Sequence, residues 1–335
     1  MNSVASKRSQ SQTAGSLLLS AYAQRNPAAE RYDELCNTDG TSRPHWQPIL
    51  DLLGSTQPAE IESRLAVAQQ HIRDEGITYT IYADPQGKDR PWALDELPLV
   101  LPGEEWATLS YGLAQRARLL NLILADLYGS QTLLKEGIVP PEVVYGAGGW
   151  LPAAFGTQAP GGVFLHGYAA DLLRSPDGQW WVVADRTQAP SGAGYALENR
   201  MIMSRAFPEL LSTMPVATLT EFFSKFRESL AYHSPCNGES PRIVVLTPGP
   251  LNETYYEHSL LARYLGFPLV EGGDLTVRDG FVWLKTISGL QRVHAILRRQ
   301  DDAYCDPLEL RSDSALGVAG LTDCARRGTV LLANA

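Results

Sequence analysis

Residues 180–200 constrain the fold of this chain more than any other segment. The apolar run 180–184 has the length and residue types of a β-strand and leads into Asp185-Arg186. A loop of small, flexible residues follows at 190–194, and a second short run ends at Glu198-Asn199-Arg200. If the two runs pair as a hairpin, acidic and amide oxygens from both arms meet two guanidinium groups at one mouth.

Such a mouth would suit a hard cation. Mg²⁺ prefers oxygen ligands and keeps waters and substrate phosphates in its remaining positions, and neighbouring arginines would neutralise phosphate oxygens. The loop Ser191-Gly192-Ala193-Gly194 could bring backbone N–H groups to a phosphate, or it could be a flexible turn. The alternative for the whole segment is a surface loop with solvated carboxylates paired to its arginines, and composition does not decide between them.

The bulk composition excludes some classes of function. The 335 residues are enough for two or three domains with buried cores. A net charge of −9 leaves no basic stripe for nucleic acid, although a nucleotide needs only a few local cations. No apolar run approaches the roughly 20 residues that span a bilayer. Four widely spaced cysteines indicate reduced thiols in a cytoplasmic protein.

The first half of the chain has a mostly helical pattern. Ser55 or Thr56 can cap a helix that ends at Gly76, and residues 77–83 predict a short strand. The longest helix opens at residues 102–103. Its apolar residues recur at helical spacing, and we expect this stripe to be core: Trp106, Leu109, Leu113, Ala117, Leu120 and Leu124.

Strand patterns dominate from residue 161. Residues 163–173 and 180–184 flank Ser175-Pro176-Asp177-Gly178, which is a clear turn signal. Residues 200–233 are helical again. About a hundred residues at the end alternate strands with helices as an α/β unit does, with strands predicted at 243–246, 268–270, 293–297 and 329–332, a helix at about 252–265 and a hairpin turn at 278–280.

Polar residues follow two of these strands. Ligands in such sheets bind at the carboxyl ends of the strands. Two polar segments lie there, one at residues 247–253 and the other at Arg298-Arg299 with Asp301 and Asp302.

Long motifs along the chain resemble one family. They are Tyr32-Asp33-Glu34, 45–48, 82–87, 184–200, 247–255, Glu257-His258, 261–266, 271–275, 296–299 and 306–310. With these segments the chain resembles the circularly permuted ATP-grasp proteins of the second type, over about residue 30 to the end.

The resemblance implies an ATP-dependent carboxylate–amine ligase, similar in plan to glutathionylspermidine synthetase, that acts through an acyl phosphate. Its cofactors would be ATP and Mg²⁺, and its substrates small-molecule or peptide carboxylates and amines. Carried onto this chain, Asp185, Glu198 and Asn199 correspond to the metal ligands, and Arg186 and Arg200 to phosphate or acyl-phosphate partners. The loop residues Ser191, Gly192 and Gly194 are the candidates for contact with the nucleotide.

The implied fold is mixed α/β. Its predicted parts are a disordered arm at 1–28, a mostly helical region at 29–155, the antiparallel, metal-binding half of an ATP-grasp domain at 156–236, and a Rossmann-like pre-ATP-grasp α/β domain at 237–335.

Two departures from the family pattern stand out. Glu198 and Asn199 are adjacent, whereas related enzymes separate these ligands by one residue, and neighbours on a regular strand face opposite sides. The family also continues beyond Ala335 into a segment with the lysines that grip ATP, so we expect the chain to be truncated. The five lysines present do not occupy that place.

A second cluster of candidates concerns the substrate. Asn252, Glu253 and Glu257 could position it, although Asn252 could simply cap a helix and Glu257 could lie on a solvated acidic face. Arg298 and Arg299 could hold a substrate carboxylate, and we expect one of the two to form a structural ion pair instead.

Two rival functions stay open. One is a truncated, non-catalytic module of the same fold that binds metal or ligand without turnover. The other, ranked last, is a metal-dependent hydrolase built on Asp185, Asp171 and His166, whose histidine lacks ligand spacing.

Overall fold

The computed structural model describes residues 31–79, 90–95 and 97–334, together with residues 19 and 22. The predicted arm at 1–28 lies almost entirely outside these residues, as does the part of the predicted strand beyond Tyr79. The predicted mixed α/β class is confirmed.

The helices of the described residues run through both halves of the chain. They are α1 (Gln47–Ser55), α2 (Pro58–Asp74), α3 (Gly103–Leu127), α4 (Thr132–Lys135), α5 (Pro141–Tyr145), α6 (Ala193–Ala206), α7 (Pro208–Thr213), α8 (Thr220–His233), α9 (Tyr255–Leu265) and α10 (Leu321–Arg326).

The strands fall mostly in the second half. They are β1 (Thr78–Tyr79), β2 (Arg90–Pro91), β3 (Ala169–Arg174), β4 (Trp180–Arg186), β5 (Ile243–Leu246), β6 (Leu269–Val270), β7 (Leu275–Arg278), β8 (Phe281–Thr286), β9 (Gly289–Val293), β10 (Ala295–Arg298) and β11 (Leu331–Ala333).

A parallel sheet of order β11-β10-β5-β6 organises the second half. All four residues of β5 are buried, because both faces of this sheet are covered. Ile243 and Val245 face a core shared with α8 and α9. Val244 and Leu246 face the opposite core, which the antiparallel sheet β7-β8-β9 and α10 complete. The predicted strands, the helix at α9 and the hairpin turn at Asp279-Gly280 are confirmed.

Helix α6 joins this α/β unit to the N-terminal helices. Leu197 packs in the core of the parallel sheet. On the same helix, Tyr195, Ile202 and Ala206 pack against residues of α1 and α2. At the surface, a salt bridge from Arg64 to Glu209, at 2.9 Å, joins α2 to the next helix, α7. Helix α6 is therefore buried on two sides, between the two cores.

The strand predicted for the second run of the 180–200 segment is wrong, because these residues form α6. Gly192 takes a φ of 112° immediately before the helix, a conformation that favours glycine. The alanine, leucine, glutamate, arginine and methionine residues that follow are strong helix formers, and burial of both faces of the helix removes the amphipathic signal that would have identified it.

The hairpin β3–β4 is confirmed, with its turn at the predicted place. Ala169 pairs with Arg186 at the open end and Arg174 with Trp180 at the turn, and a bulge interrupts the ladder at Asp171/Leu172. In the described residues it is a sheet of two strands, and its outer face leaves Trp181 largely exposed.

The predicted burial of the α3 stripe is wrong. The helix begins and ends as predicted, but none of its residues is buried, and Trp106 is 50% exposed. Its apolar side faces an open cleft beside β3–β4 rather than a packed core. Among the described helices, none is both long enough and apolar enough to cross a membrane.

The predicted cap of α2 is also wrong. Ser55 ends α1 and Thr56 follows it, so Gln57 precedes α2 without a side-chain cap bond. Pro58 starts the helix because proline fits the first helical position, where no N–H is needed.

Candidate functional site

Asp185 lies near the end of β4, and its carboxylate accepts hydrogen bonds from two side chains of the protein. Arg116 of α3 donates two hydrogen bonds to its carboxylate, both at 2.7 Å, and the Tyr168 hydroxyl donates a third at 2.6 Å. The hydrogen bonds from Arg116 lower the pKa of Asp185. Burial and the Asp185 carboxylate together raise the pKa of Tyr168 to about 12. The carboxylate is therefore ionised and paired within the chain.

The other two predicted metal ligands, Glu198 and Asn199, lie on α6, and each forms a hydrogen bond with a different residue. The buried Glu198 accepts a hydrogen bond from the Tyr256 hydroxyl at 2.9 Å. Asn199 accepts one from the Trp92 indole N–H at 2.7 Å. The predicted hairpin mouth is wrong, because Glu198 and Asn199 lie on α6 and not on a second strand that pairs with β4.

The role of Asp185, Glu198 and Asn199 as Mg²⁺ ligands stays a prediction. Across the described part of the chain, no group of three or more His, Cys, Asp or Glu side chains is arranged to hold a metal. Each of the three predicted ligands accepts a hydrogen bond inside the protein through at least one oxygen.

The two arginines predicted to hold phosphate are also engaged. Arg186 forms an exposed ion pair with Asp171 at 2.7 Å. Arg200 donates to the Ala217 carbonyl at 3.1 Å. Both side chains belong to surface contacts, which is the alternative left open for this segment.

The glycine loop before α6 binds an anion, but the anion belongs to the protein. Gly192 and Gly194 donate their N–H groups to Oε1 of Glu257, at 2.7 and 2.8 Å. A Cβ on Gly194 would lie 2.7 Å from Cγ of Glu257, so only glycine lets the carboxylate approach this closely. A phosphate could use these two N–H groups only by displacing Glu257.

Glu257 and Arg299 form a buried ion pair. Arg299 donates to Oε2 of Glu257 at 3.1 Å and to the carbonyl of Pro190 at 2.8 Å. Both side chains are buried, Glu257 completely, so its predicted alternative as part of a solvated acidic face is wrong. The pair holds the 190–194 loop against the carboxyl end of the parallel sheet.

Arg298, at the end of β10, is buried, and among the described residues it forms no ion pair with a carboxylate. It donates to the carbonyls of Gln300, Gln188 and Asn334, at 2.6, 3.4 and 3.3 Å. Among the described residues no acidic side chain bonds to it, although it is only 2% exposed. Of the two adjacent arginines, Arg299 is therefore the one in an ion pair, as expected for one of them, and Arg298 keeps an unbalanced charge.

Asn252 and Glu253 precede α9. The side chain of Asn252 accepts from the N–H and the hydroxyl of Thr254, at 3.0 and 2.9 Å, and so stabilises the turn into the helix. Glu253 is half-buried. Their predicted contact with substrate stays a prediction.

His258 is a structural residue. Its ring nitrogens bond to the hydroxyls of Thr247 and Thr254, at 2.9 and 3.0 Å. Burial, helped by the nearby charge of Arg299, lowers the pKa of His258 to about 3. The ring is therefore neutral and adds no charge to the cluster.

Sequence reasoning missed Asn334, which closes this edge of the sheet. Its side chain accepts from the N–H groups of His166 and Gly167 and donates to the carbonyls of Gly167 and Thr187. No local signal marks an asparagine after the last strand as a bridge to residues more than a hundred positions earlier. Arg116 was missed for the same reason, although it interrupts the apolar side of α3.

Two cavities flank these residues. The larger, about 990 Å³, lies between α3 and β3–β4, with walls that include Leu109, Leu113, Arg116, Trp180 and Val182. The smaller, about 90 Å³, lies at the carboxyl edge of the parallel sheet. Its walls include Phe222, Phe226, Leu261, Arg298 and Arg299.

The profile of the family described as "Circularly permuted ATP-grasp type 2" matches residues 98–335. This chain belongs to that family. The match covers the hairpin β3–β4, the glycine loop and the entire parallel sheet. ATP-grasp enzymes generally use ATP and Mg²⁺.

Relatives of known sequence extend well beyond this chain. An uncharacterized protein of Mycobacterium tuberculosis (strain H37Rv) is 43% identical over 311 residues, 90% of this chain and 35% of its own length. One from Synechocystis is 41% identical over 304 residues, 91% of this chain and 63% of its own. The chain thus spans between about a third and two thirds of the curated relatives it matches.

A solved structure with a related shape is the apo form of a glutathione synthetase-like effector (GSS30) from Globodera pallida. It is 14% identical, with a TM-score of 0.45, over 82% of this chain and 64% of that one.

Proposed function

We propose that this chain belongs to an ATP-dependent carboxylate–amine ligase and that its share of the work is to bind and orient the acid substrate. Membership of the ATP-grasp family supports the reaction class. The observation that carries the proposal for this chain is the buried Arg298 beside the Glu257–Arg299 pair, at the carboxyl edge of a parallel sheet. That edge is where α/β proteins bind their ligands.

In this proposal each buried group has a separate task. Glu257 and Arg299 hold the 190–194 loop in place through three hydrogen bonds to its backbone. Arg298 offers a guanidinium to the substrate carboxylate, for which its planar fork is suited. Substrates would be small-molecule or peptide carboxylates and amines. We also propose a cytoplasmic location, which the absence of disulfides among the four cysteines supports.

A second candidate is a non-catalytic module that binds the ligand without turnover. One specific observation favours it: Asp185, Glu198 and Asn199 each have a private hydrogen-bond partner. Under this alternative the acid would bind, and MgATP would not be consumed.

The two candidates differ in one measurement. A protein that contains this chain and has the full length of its curated relatives is mixed with MgATP, a panel of carboxylic acids and a panel of amines, and the release of ADP is followed. Release that requires both an acid and an amine supports the ligase. If no combination raises ADP above the acid-free rate while acids still bind, the non-catalytic module is the better account.

A further inference from the structure

The charge of the buried cluster at the sheet edge does not balance. Glu257 contributes one negative charge, Arg298 and Arg299 contribute two positive charges, and His258 is neutral. An uncompensated buried charge is costly even when carbonyl oxygens solvate it. In addition, Nε of Arg299 is buried without a hydrogen-bond partner in the described structure. Both features indicate that the cluster is completed by an anion.

The smaller cavity lies directly against this cluster. Arg298 and Arg299 both line it, so an anion inside would lie beside a guanidinium, that of Arg298, which has no carboxylate hydrogen-bond partner among the described residues. Its volume of about 90 Å³ equals roughly three water molecules at about 30 Å³ each. Pockets that enclose a drug-sized ligand are several times larger. The cavity is too small to enclose a whole nucleotide, and it fits the acidic end of a longer molecule.

The other walls of the smaller cavity are apolar and favour a ligand whose hydrocarbon part is apolar. Leu261, Leu297 and Ala333 form an apolar floor that belongs to the core of the parallel sheet. On the side of α8, Phe222 stacks on Phe226 with their ring planes 8° apart and their centroids 6.1 Å apart. Phe222 remains 52% exposed, so it offers a face to a ligand that leaves the cavity.

We propose that this cavity binds the carboxylate of an organic acid whose chain is apolar or aromatic, with the carboxylate at Arg298 and the chain against Phe222. The proposal rests on the proposed function, since the bound acid would be the substrate. It adds the class of acid and the residues that select it.

The test is isothermal titration calorimetry, in which each probe is titrated into the protein in the absence of nucleotide. The probes are 3-phenylpropionate, its uncharged amide 3-phenylpropionamide, propionate and inorganic phosphate. We expect 3-phenylpropionate to bind at least about tenfold more tightly than the amide, a difference of about 1.4 kcal/mol. Equal affinity for acid and amide, or tighter binding of phosphate than of either acid, would overturn the proposal.

Two variants and one control locate the site. Arg298→Lys keeps the charge but loses the planar fork, and we expect about a tenfold weaker affinity for both acids. Phe222→Ser should weaken 3-phenylpropionate severalfold and leave propionate unchanged. Tyr232→Ser is the matched control, because Tyr232 lies on the same helix, is 85% exposed and does not line the cavity. If Phe222→Ser and Tyr232→Ser behave alike, the chain of the acid does not lie here. Because Phe222 is exposed, this result stands even if Arg298→Lys fails to fold.

Failure of this inference is distinguishable from failure of the proposed function. Binding of the acid without acid-dependent release of ADP retains the cavity and rejects the ligase. Acid-dependent turnover whose KM for the acid is unchanged in Phe222→Ser and Arg298→Lys retains the ligase and rejects the cavity.

Discussion

Replacing Glu257 by glutamine tests the central structural claim, that a buried ion pair holds the glycine loop. Oε1 of the new side chain can still accept from Gly192 and Gly194, so the change acts on the contact with Arg299. There, an amide N–H₂ group replaces Oε2 and faces a guanidinium donor 3.1 Å away. Removing one partner of a buried pair costs about 3–5 kcal/mol, a large part of the roughly 5–15 kcal/mol that stabilises a typical domain.

The assay is urea unfolding at neutral pH, followed by circular dichroism and tryptophan fluorescence. Glu221→Gln is the matched control, because its ion pair with Lys225 is exposed on α8 and should change stability by less than about 1 kcal/mol. The double variant Glu257→Gln/Arg299→Met should be less destabilised than the sum of the two single variants. A loss below about 1 kcal/mol for Glu257→Gln, or strictly additive single effects, would refute the reasoning.

Three further predictions follow from the same contacts. Gly194→Ala places a Cβ 2.7 Å from Cγ of Glu257 and should lower the free energy of unfolding by about 1–3 kcal/mol; an unchanged urea midpoint would contradict it. Asp185→Asn should lower the pKa of the Tyr168 phenol from about 12 towards 10, as read by ultraviolet absorbance, because the carboxylate raises that pKa; a phenol that still titrates near 12 would show that burial alone is responsible. Burial holds the pKa of His258 at about 3 in the folded protein against 6.5 in the unfolded chain, so the unfolded state binds more protons between these values and stability falls as the pH drops from 6.5 towards 3; His258→Gln should flatten this dependence, and an equal slope in both proteins would count against it.

The elements that the sequence predicted well are those with local signals. The strand Ile243–Leu246 is a continuous run of β-branched and aliphatic residues, and the hairpin turn at Ser175–Gly178 has a strong turn sequence. The long helix Gly103–Leu127 has apolar residues at helical spacing. In each case, neighbouring residues contain the information, so the bounds follow to within a few positions.

The errors have a different origin. The run before Arg200 is too short for its period to separate strand from helix, and α6 hides its amphipathic pattern because it packs on both sides. The apolar stripe of α3 predicts a buried face, but the helix lies beside a cleft of about 990 Å³. Periodicity reports which residues share a face, and it does not report what covers that face.

The candidate site shows the same division. Sequence alone placed Arg298 and Arg299 after one strand of a parallel sheet, and Glu257 on the helix that follows another strand of it, at 243–246. The tertiary structure decided which of the adjacent arginines is paired, because Arg299 reaches Glu257 and Arg298 reaches only carbonyls. It also decided that Asp185 meets Arg116, 69 residues earlier in the chain, rather than Glu198. Sequence fixes the type and local order of the charged groups, whereas their pairing depends on long-range packing, since burial makes each charge bind the nearest group that can stabilise it.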